Sequence, residues 1–329
     1  AIFKVHHTFA DGVGLIAMMG HIIDVSADDQ RQPMDPWKPS ATASKARDLA
    51  ADAARHRSEV ATSRAGAAVR ATGSALRHPM DSVKAVREFA SSAQRVGKPV
   101  SEPASDVMIG RSISSRLGMI EVPLDSFKAG AKALDGTLND AFVAAVAFGL
   151  ADYHERMGGS ASFVRMNMPT NARTDETADD MGNHLAGARI EVPLDIEDPV
   201  ALVAKIQADV RAGRSETAAP VLLALMGGIG QFSGTATTAV LSSVQKATDL
   251  VTSNLPGPPF EVFVAGARVT RVIPFGPRSG AGLNVTLISY AGSCTVGVNA
   301  DPVAVTDLDG LIADLQAGLD TIASYGEPS

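Results

Sequence analysis

Two adjacent histidines followed closely by an aspartate and a glycine, His6-His7-Thr8-Phe9-Ala10-Asp11-Gly12, form the densest group of chemically capable side chains in the sequence. Imidazole is the side chain whose ordinary pKa suits a general base near neutral pH. Residues 1–7 alternate Ile2, Lys4 and His6 against Phe3, Val5 and His7, which predicts a strand ending at the pair. Neighbours on a strand point to opposite faces, so only one of the two imidazoles enters a given cleft. His7 shares its face with Phe3 and Val5 and stands at the open strand end, which makes it the candidate base. Asp11 would organise the turn through hydrogen bonds or an ion pair, and Gly12 admits a backbone conformation that a side chain would obstruct. The same spacing also fits two hydrogen-bonded core histidines ahead of an Asp-Gly turn. Metal binding needs more ligands than this pair, and no second His or acidic cluster has zinc-ligand spacing.

Two other segments place polar side chains where they can act. Thr137-Leu138-Asn139-Asp140 precedes the apolar run Ala141 to Val146, and Thr137 and Asp140 have the N-cap and N3 spacing of a capping box. Ser253-Asn254 closes an apolar strand ahead of Leu255-Pro256-Gly257-Pro258-Pro259, a rigid turn whose donors could stabilise an oxyanion. A strand exit closed by a proline-rich turn explains the same residues equally well.

The elements that must position these groups alternate between strand and helix. Strands are expected at 117–124, 163–168, 188–194, 250–254, 268–274, 283–290 and 295–299. Helices are expected at 138–157, 199–215 and 305–322, the last with Leu308, Leu311, Ile312, Leu315, Leu319 and Ile322 on one face. After the Asp11-Gly12 turn, the apolar stretch from Val13 to Val25 predicts an opening unit of strand, turn and helix. Mixed sheets flanked by helices, an α/β or α+β arrangement, follow from this order.

Composition narrows the function classes. The 329 residues suffice for two domains, with 45% hydrophobic and 20% charged residues. A single cysteine, Cys294, excludes an intramolecular disulfide and a cysteine-based zinc site and suits a reducing, cytoplasmic setting. No run of 18 apolar residues is present. Gly227-Gly228-Ile229-Gly230 lacks the lysine and spacing of a phosphate loop, and no Gly-x-Ser-x-Gly elbow occurs. Residues 41–98 carry eleven Lys/Arg against five Asp/Glu, +6, which leaves −13 for the rest of a chain of net charge −7. This Ala-, Ser- and Arg-rich stretch reads as a basic helical excursion. It could lie on anionic lipid, although its few apolar anchors fit a solvated linker better. Missing aromatics and the acidic balance argue against nucleic acid.

His6 to Gly12 resembles the HHxxxDG motif of the chloramphenicol-acetyltransferase-like acyltransferases. Within that superfamily the chain most resembles the bacterial, actinobacterial-type wax ester synthase/diacylglycerol acyltransferases. The resemblance runs through Thr137 to Asp140, Met168-Pro169-Thr170-Asn171-Ala172-Arg173, Met181-Gly182-Asn183, Ser253 to Pro258 and Gly282 to Tyr290. It implies a two-domain fold with the active site at the domain interface: residues 1–40 ending the N-terminal domain, 41–103 the helical excursion, and 104–329 the C-terminal domain. Family members carry a substantial segment before the motif, so an N-terminal part is expected to be missing from this chain.

The implied reaction moves a long-chain acyl group from acyl-CoA to diacylglycerol or a fatty alcohol, with acyl-CoA as substrate and no cofactor or metal. His7 would be the base, Ser253 and Asn254 would support the oxyanion, and Asn139-Asp140 marks a motif that affects activity. Arg173, Asn183 and Asn284 are candidates for substrate contacts. The apolar substrates imply supply from a membrane or lipid-droplet surface, hence a cytoplasmic protein peripheral to the inner membrane or droplets. The alternatives are a condensation-type transferase using a carrier-bound donor and a non-catalytic lipid-binding protein on the same scaffold.

Overall fold

The computed structural model describes residues 1–5, 12–28, 102–171, 185–214 and 247–326, with six positions between 51 and 62. The chain divides into two compact units, 1–29 with 97–329, and 30–96. In the second unit the described positions Ala51, Asp52, Ala54, Arg55, Ser58 and Thr62 are all helical. Most of that segment lies outside the described residues.

The first unit is built on a mixed sheet. Its helices among the described residues are α1 (Gly12–Met19), α2 (Leu124–Ala133), α3 (Leu138–Arg156), α4 (Pro199–Arg214) and α5 (Leu308–Ser324). The strands are β1 (Arg116–Pro123), β2 (Phe163–Asn171), β3 (Leu185–Pro193), β4 (Leu250–Pro256), β5 (Phe263–Val264), β6 (Ala267–Arg268), β7 (Leu283–Tyr290) and β8 (Ser293–Ala300). Six of them form the sheet in the order β1-β8-β7-β4-β2-β3. β4 runs parallel to both β7 and β2, and the other pairs are antiparallel.

Alternation decides which face meets the helices. Ile120 and Val122, Val164, Met166 and Met168, Leu283, Val285 and Leu287, and Cys294, Val296 and Val298 each recur at every second position and are buried in one core. α3 and α5 close over this face. Ala141, Ala144, Ala145 and Ala147 are buried in α3, and the helices meet at glycines. A Cβ on Gly318 would lie 2.2 Å from the Ala145 carbonyl oxygen, and one on Gly149 would lie 2.6 Å from Leu315 Cα. The buried alanines of α3 thus allow close helix packing, with Phe127, Phe142, Leu150 and Tyr153 supplying the volume. Burying Phe127, Phe142 and Leu150 contributes about 1.5–3 kcal/mol each.

The opposite face is polar, with Asn284, Thr286 and Thr295 buried on it. Residues 269–278 cross it. Of the strand expected over 268–274 only Arg268 lies in a strand, the two-residue β6, and the segment beyond it crosses the sheet face instead of joining a ladder. Asn284 Nδ2 donates to Pro277 O at 3.3 Å and Asn299 Nδ2 to Gly276 O at 3.0 Å, anchoring the crossing segment. Gly297 makes room for it: a Cβ there would lie 1.7 Å from Pro274 O.

The strand expected at the start of the chain is also corrected. Residues 1–5 are exposed and belong to no strand, and no described strand pairs with them. The apolar stretch after it forms a helix only over Gly12–Met19, and Asp24 then pairs with Phe263 of β5 in an antiparallel bridge. Helix α2 was not anticipated. It follows β1 without a loop, and Pro123 offers no side-chain cap to announce it. No single described helix is long and apolar enough to cross a membrane.

Candidate active site

The start of α3 is fixed by its own side chains. Thr137 Oγ1 accepts from the Asp140 N–H at 3.2 Å, while Asp140 Oδ2 accepts from the Thr137 N–H at 3.0 Å and from its hydroxyl at 2.7 Å. This is the capping box that the spacing predicts. Asp140 is therefore committed to the helix terminus, and Asn139, one residue earlier, is aimed at the sheet. Asn139 Nδ2 donates to Met168 Sδ at 3.4 Å.

Met168 lies where the sheet divides. β2 and β4 pair only at Met166–Leu250 and Asn167–Val251. Beyond that point β2 continues to Asn171 against β3, and β4 continues to Pro256 against β7. The halves β1-β8-β7-β4 and β2-β3 thus part at the carboxyl ends of two parallel strands. Crevices outside such strand ends are where open α/β sheets bind ligands.

The structure corrects the expected placement of Ser253 and Asn254. They lie within β4, opposite Thr286 and Leu287 of β7, and not at its exit. Strand alternation sends them to opposite faces. Asn254 shares the helix-covered face with Thr252, whose Oγ1 donates to Met166 Sδ at 3.0 Å. Ser253 shares the polar face with Val251. Asn254 and Asn139 therefore stand on one side of the sheet at the lips of the split, and Ser253 belongs to the other side. Both β4 residues are half-buried.

Next to the split, Asp135, Thr137, Asn139, Asp140, Gln207 and Arg211 line an open pocket of about 410 Å³. Gln207 Nε2 closes one side by donating to Asp135 O at 2.6 Å. Asn284 is more distant in role: it is 1% exposed, and Thr286 Oγ1 donates to its Oδ1 at 2.8 Å beneath the crossing segment. Gly12 opens helix α1. His6, His7, Asp11, Arg173 and Asn183 lie outside the described residues. Among the described residues no three His, Cys, Asp or Glu side chains converge on a metal-sized site.

Three buried polar centres escaped the sequence reading. Asp249, fully buried ahead of β4, accepts from the N–H groups of Ala104 at 3.2 Å, Ser105 at 3.1 Å and Arg165 at 2.7 Å. Burial raises its carboxyl pKa, against the lowering effect of those N–H groups. Asp301 is also fully buried and is ion-paired with Arg278 at 2.6 Å. Burial alone would raise it, but the Ser112 N–H and hydroxyl, the Val303 N–H and Arg278 hold its carboxyl at about 2. His154 is 3% exposed, with Nδ1 2.6 Å from Leu150 O and Nε2 2.8 Å from Ser105 Oγ. That Oγ also accepts from the Met108 N–H at 2.8 Å, so the pair ties the segment before β1 to α3. Asp-Pro at 301–302 was the one local cue for any of them.

Comparison with known proteins agrees with this architecture. Residues 1–142 match the wax ester synthase/diacylglycerol acyltransferase catalytic domain, and residues 181–323 match the C-terminal domain of the same family. A protein of Mycobacterium tuberculosis H37Rv, provisionally named a diacylglycerol O-acyltransferase, is 32% identical over 100% of this chain and 67% of its own length. The solved wax ester synthase/diacylglycerol acyltransferase from Marinobacter aquaeolei VT8 superposes with a TM-score of 0.59 at 17% identity, covering 98% of this chain and 67% of that one. A condensation domain of the enacyloxin polyketide synthase reaches a TM-score of 0.50 at 13% identity over 74% of this chain and 48% of its own. These two likenesses concern the fold. The matches across both halves and the mycobacterial relative establish that this chain belongs to the wax ester synthase/diacylglycerol acyltransferase family.

Proposed function

We propose that this chain is an O-acyltransferase that moves a long-chain acyl group from acyl-CoA to the hydroxyl of diacylglycerol or a fatty alcohol, giving triacylglycerol or wax ester. The observation that carries the reading is the catalytic-domain match over residues 1–142, which contains His6 to Gly12. His7 acts as general base. It takes the proton of the alcohol as the oxygen attacks the thioester carbonyl, and the carbonyl electrons move to oxygen. Collapse of the tetrahedral intermediate re-forms the carbonyl and breaks the carbon–sulfur bond, and the imidazolium returns the proton to the CoA thiolate.

Donors near the intermediate lower its energy without a covalent acyl-enzyme, cofactor or metal. Asn254, at the lip of the split sheet, is the donor we favour, with Asn139 and Asp140 shaping the site behind it. Ser253, on the opposite face, would act only by supporting the strand. Arg173, Asn183 and Asn284 are kept as candidates for substrate contact, Asn284 through the segment that covers it. The apolar substrates would reach the site from a membrane or droplet surface, where a cytoplasmic protein sits peripherally.

The test is release of CoA by the full-length protein supplied with palmitoyl-CoA and either dioleoylglycerol or hexadecanol. Ester formation matched by CoA release supports the reading. Uptake of palmitoyl-CoA with no ester from either alcohol would sink it.

A further inference from the structure

We infer that Met168 fixes the orientation of the Asn139 amide, so that the pocket beside α3 presents a hydrogen-bond acceptor to a donor group on a substrate. The inference rests on the acyl-transfer reading above and adds a positioning residue to it. Asn139 and Met168 are 29 residues apart and meet at 3.4 Å, nitrogen to sulfur. A thioether sulfur accepts hydrogen bonds and cannot donate one, so the amide turns its nitrogen toward Met168. Met168 is 4% exposed and sits in a strand paired with β3 along its length, so the acceptor is fixed before any ligand arrives.

With the nitrogen held at the sulfur, the amide oxygen is turned away from it, and Asn139 is one of the residues that line the pocket. Of its polar neighbours there, Asp140 and Thr137 are bonded to each other and Gln207 to the Asp135 carbonyl, while Arg211 supplies a cation to the same pocket. No described residue donates to Asn139 Oδ1. An acceptor at a pocket wall to which no described residue donates selects a ligand N–H or O–H, since pairing it with an apolar group forfeits the bond. The reaction offers such donors on both substrates, among them the amide N–H groups of the pantetheine arm of CoA and the hydroxyl of the alcohol. The same device recurs two residues away, where Met166 Sδ accepts from Thr252 Oγ1 and fixes that hydroxyl in turn.

The experiment uses the full-length protein with Met168→Leu, which keeps the apolar volume and removes the acceptor, and with Asn139→Ala. Turnover of palmitoyl-CoA and hexadecanol is measured together with calorimetric binding of CoA and of hexadecanol. Met168→Leu is expected to raise KM and Kd for one substrate about three- to tenfold, the cost of one neutral hydrogen bond, with kcat within about twofold. A shift on the CoA side places the donor on CoA, and a shift on the alcohol side identifies the hydroxyl. Should Met168→Leu fail to fold, Asn139→Ala at the half-buried position is expected to show the same rise in KM and Kd, with kcat free to fall. Binding and KM unchanged in the folded variants would overturn the inference, as would a wild type that binds neither ligand. A wild type that binds but forms no ester contradicts the acyl-transfer reading alone, and a binding defect in Met168→Leu would then still support the acceptor.

Discussion

Asp249 and Arg165 are joined twice: the Arg165 N–H donates to Asp249 Oδ2 at 2.7 Å, and the Asp249 N–H donates to Arg165 O at 2.9 Å. This clamp stands immediately before the short parallel ladder of β2 and β4. It sets the register from which the two strands part, and so the distance between the Met168 and Asn254 lips of the split. The same carboxylate holds the N–H groups of Ala104 and Ser105, so three donors depend on one buried side chain.

Replacing Asp249 by Ala leaves those three N–H groups unsatisfied in the interior and is expected to lower stability by about 3 kcal/mol. Asp249→Asn keeps one acceptor oxygen and should cost about half as much, because only the N–H groups that face its NH2 lose their partner. Denaturant unfolding of the two variants measures the difference. Equal losses would show that the carboxylate's acceptors are not what the clamp supplies.

Asp301 gives the protein a dependence on acid. Its carboxyl is held at about 2, below the value of about 3.9 expected in the unfolded chain. A lowered acid stabilises the fold above the unfolded pKa and loses that contribution as pH falls through the folded one. On the order of 2–3 kcal/mol should therefore disappear between about pH 4 and pH 2. Asp301→Asn should be less stable at pH 7 and should have a flatter profile over that interval. An unchanged slope would remove Asp301 from the account.

Cys294 reports on the core. It is fully buried on β8, and burial pushes its thiol up to about 11. Thiolate is the reactive form, so a maleimide or disulfide reagent should label it at pH 8 only as fast as the sheet opens. Adding denaturant should release labelling in step with loss of secondary structure. Rapid labelling of the native protein would contradict the helix packing over this face.

Local chemistry was legible in the sequence, and pairing was not. Thr137 and Asp140 stand three residues apart, and their capping box follows from spacing alone. Strands β1, β2, β3, β4, β7 and β8 were each anticipated within a few residues, because apolar alternation is a local signal. The order in which they pair depends on contacts far apart in sequence. Asp249 meets Arg165 across 84 residues and Asn139 meets Met168 across 29, so the split of the sheet had no local signature. Ser253 and Asn254 show the consequence. Their identities drew attention, but the extent of β4, which assigns them to opposite faces, depends on its ladder with β7.

In the proposed reaction His7 removes the proton of the alcohol. The most direct test is the kcat of the full-length protein and of His7→Ala, with palmitoyl-CoA and hexadecanol, across pH 5 to 9. Loss of a general base should lower kcat by about 10²–10⁴-fold, leave CoA binding nearly unchanged, and abolish the rise in wild-type rate as the imidazole deprotonates. A His7→Ala variant that keeps the wild-type rate and pH profile would contradict the account.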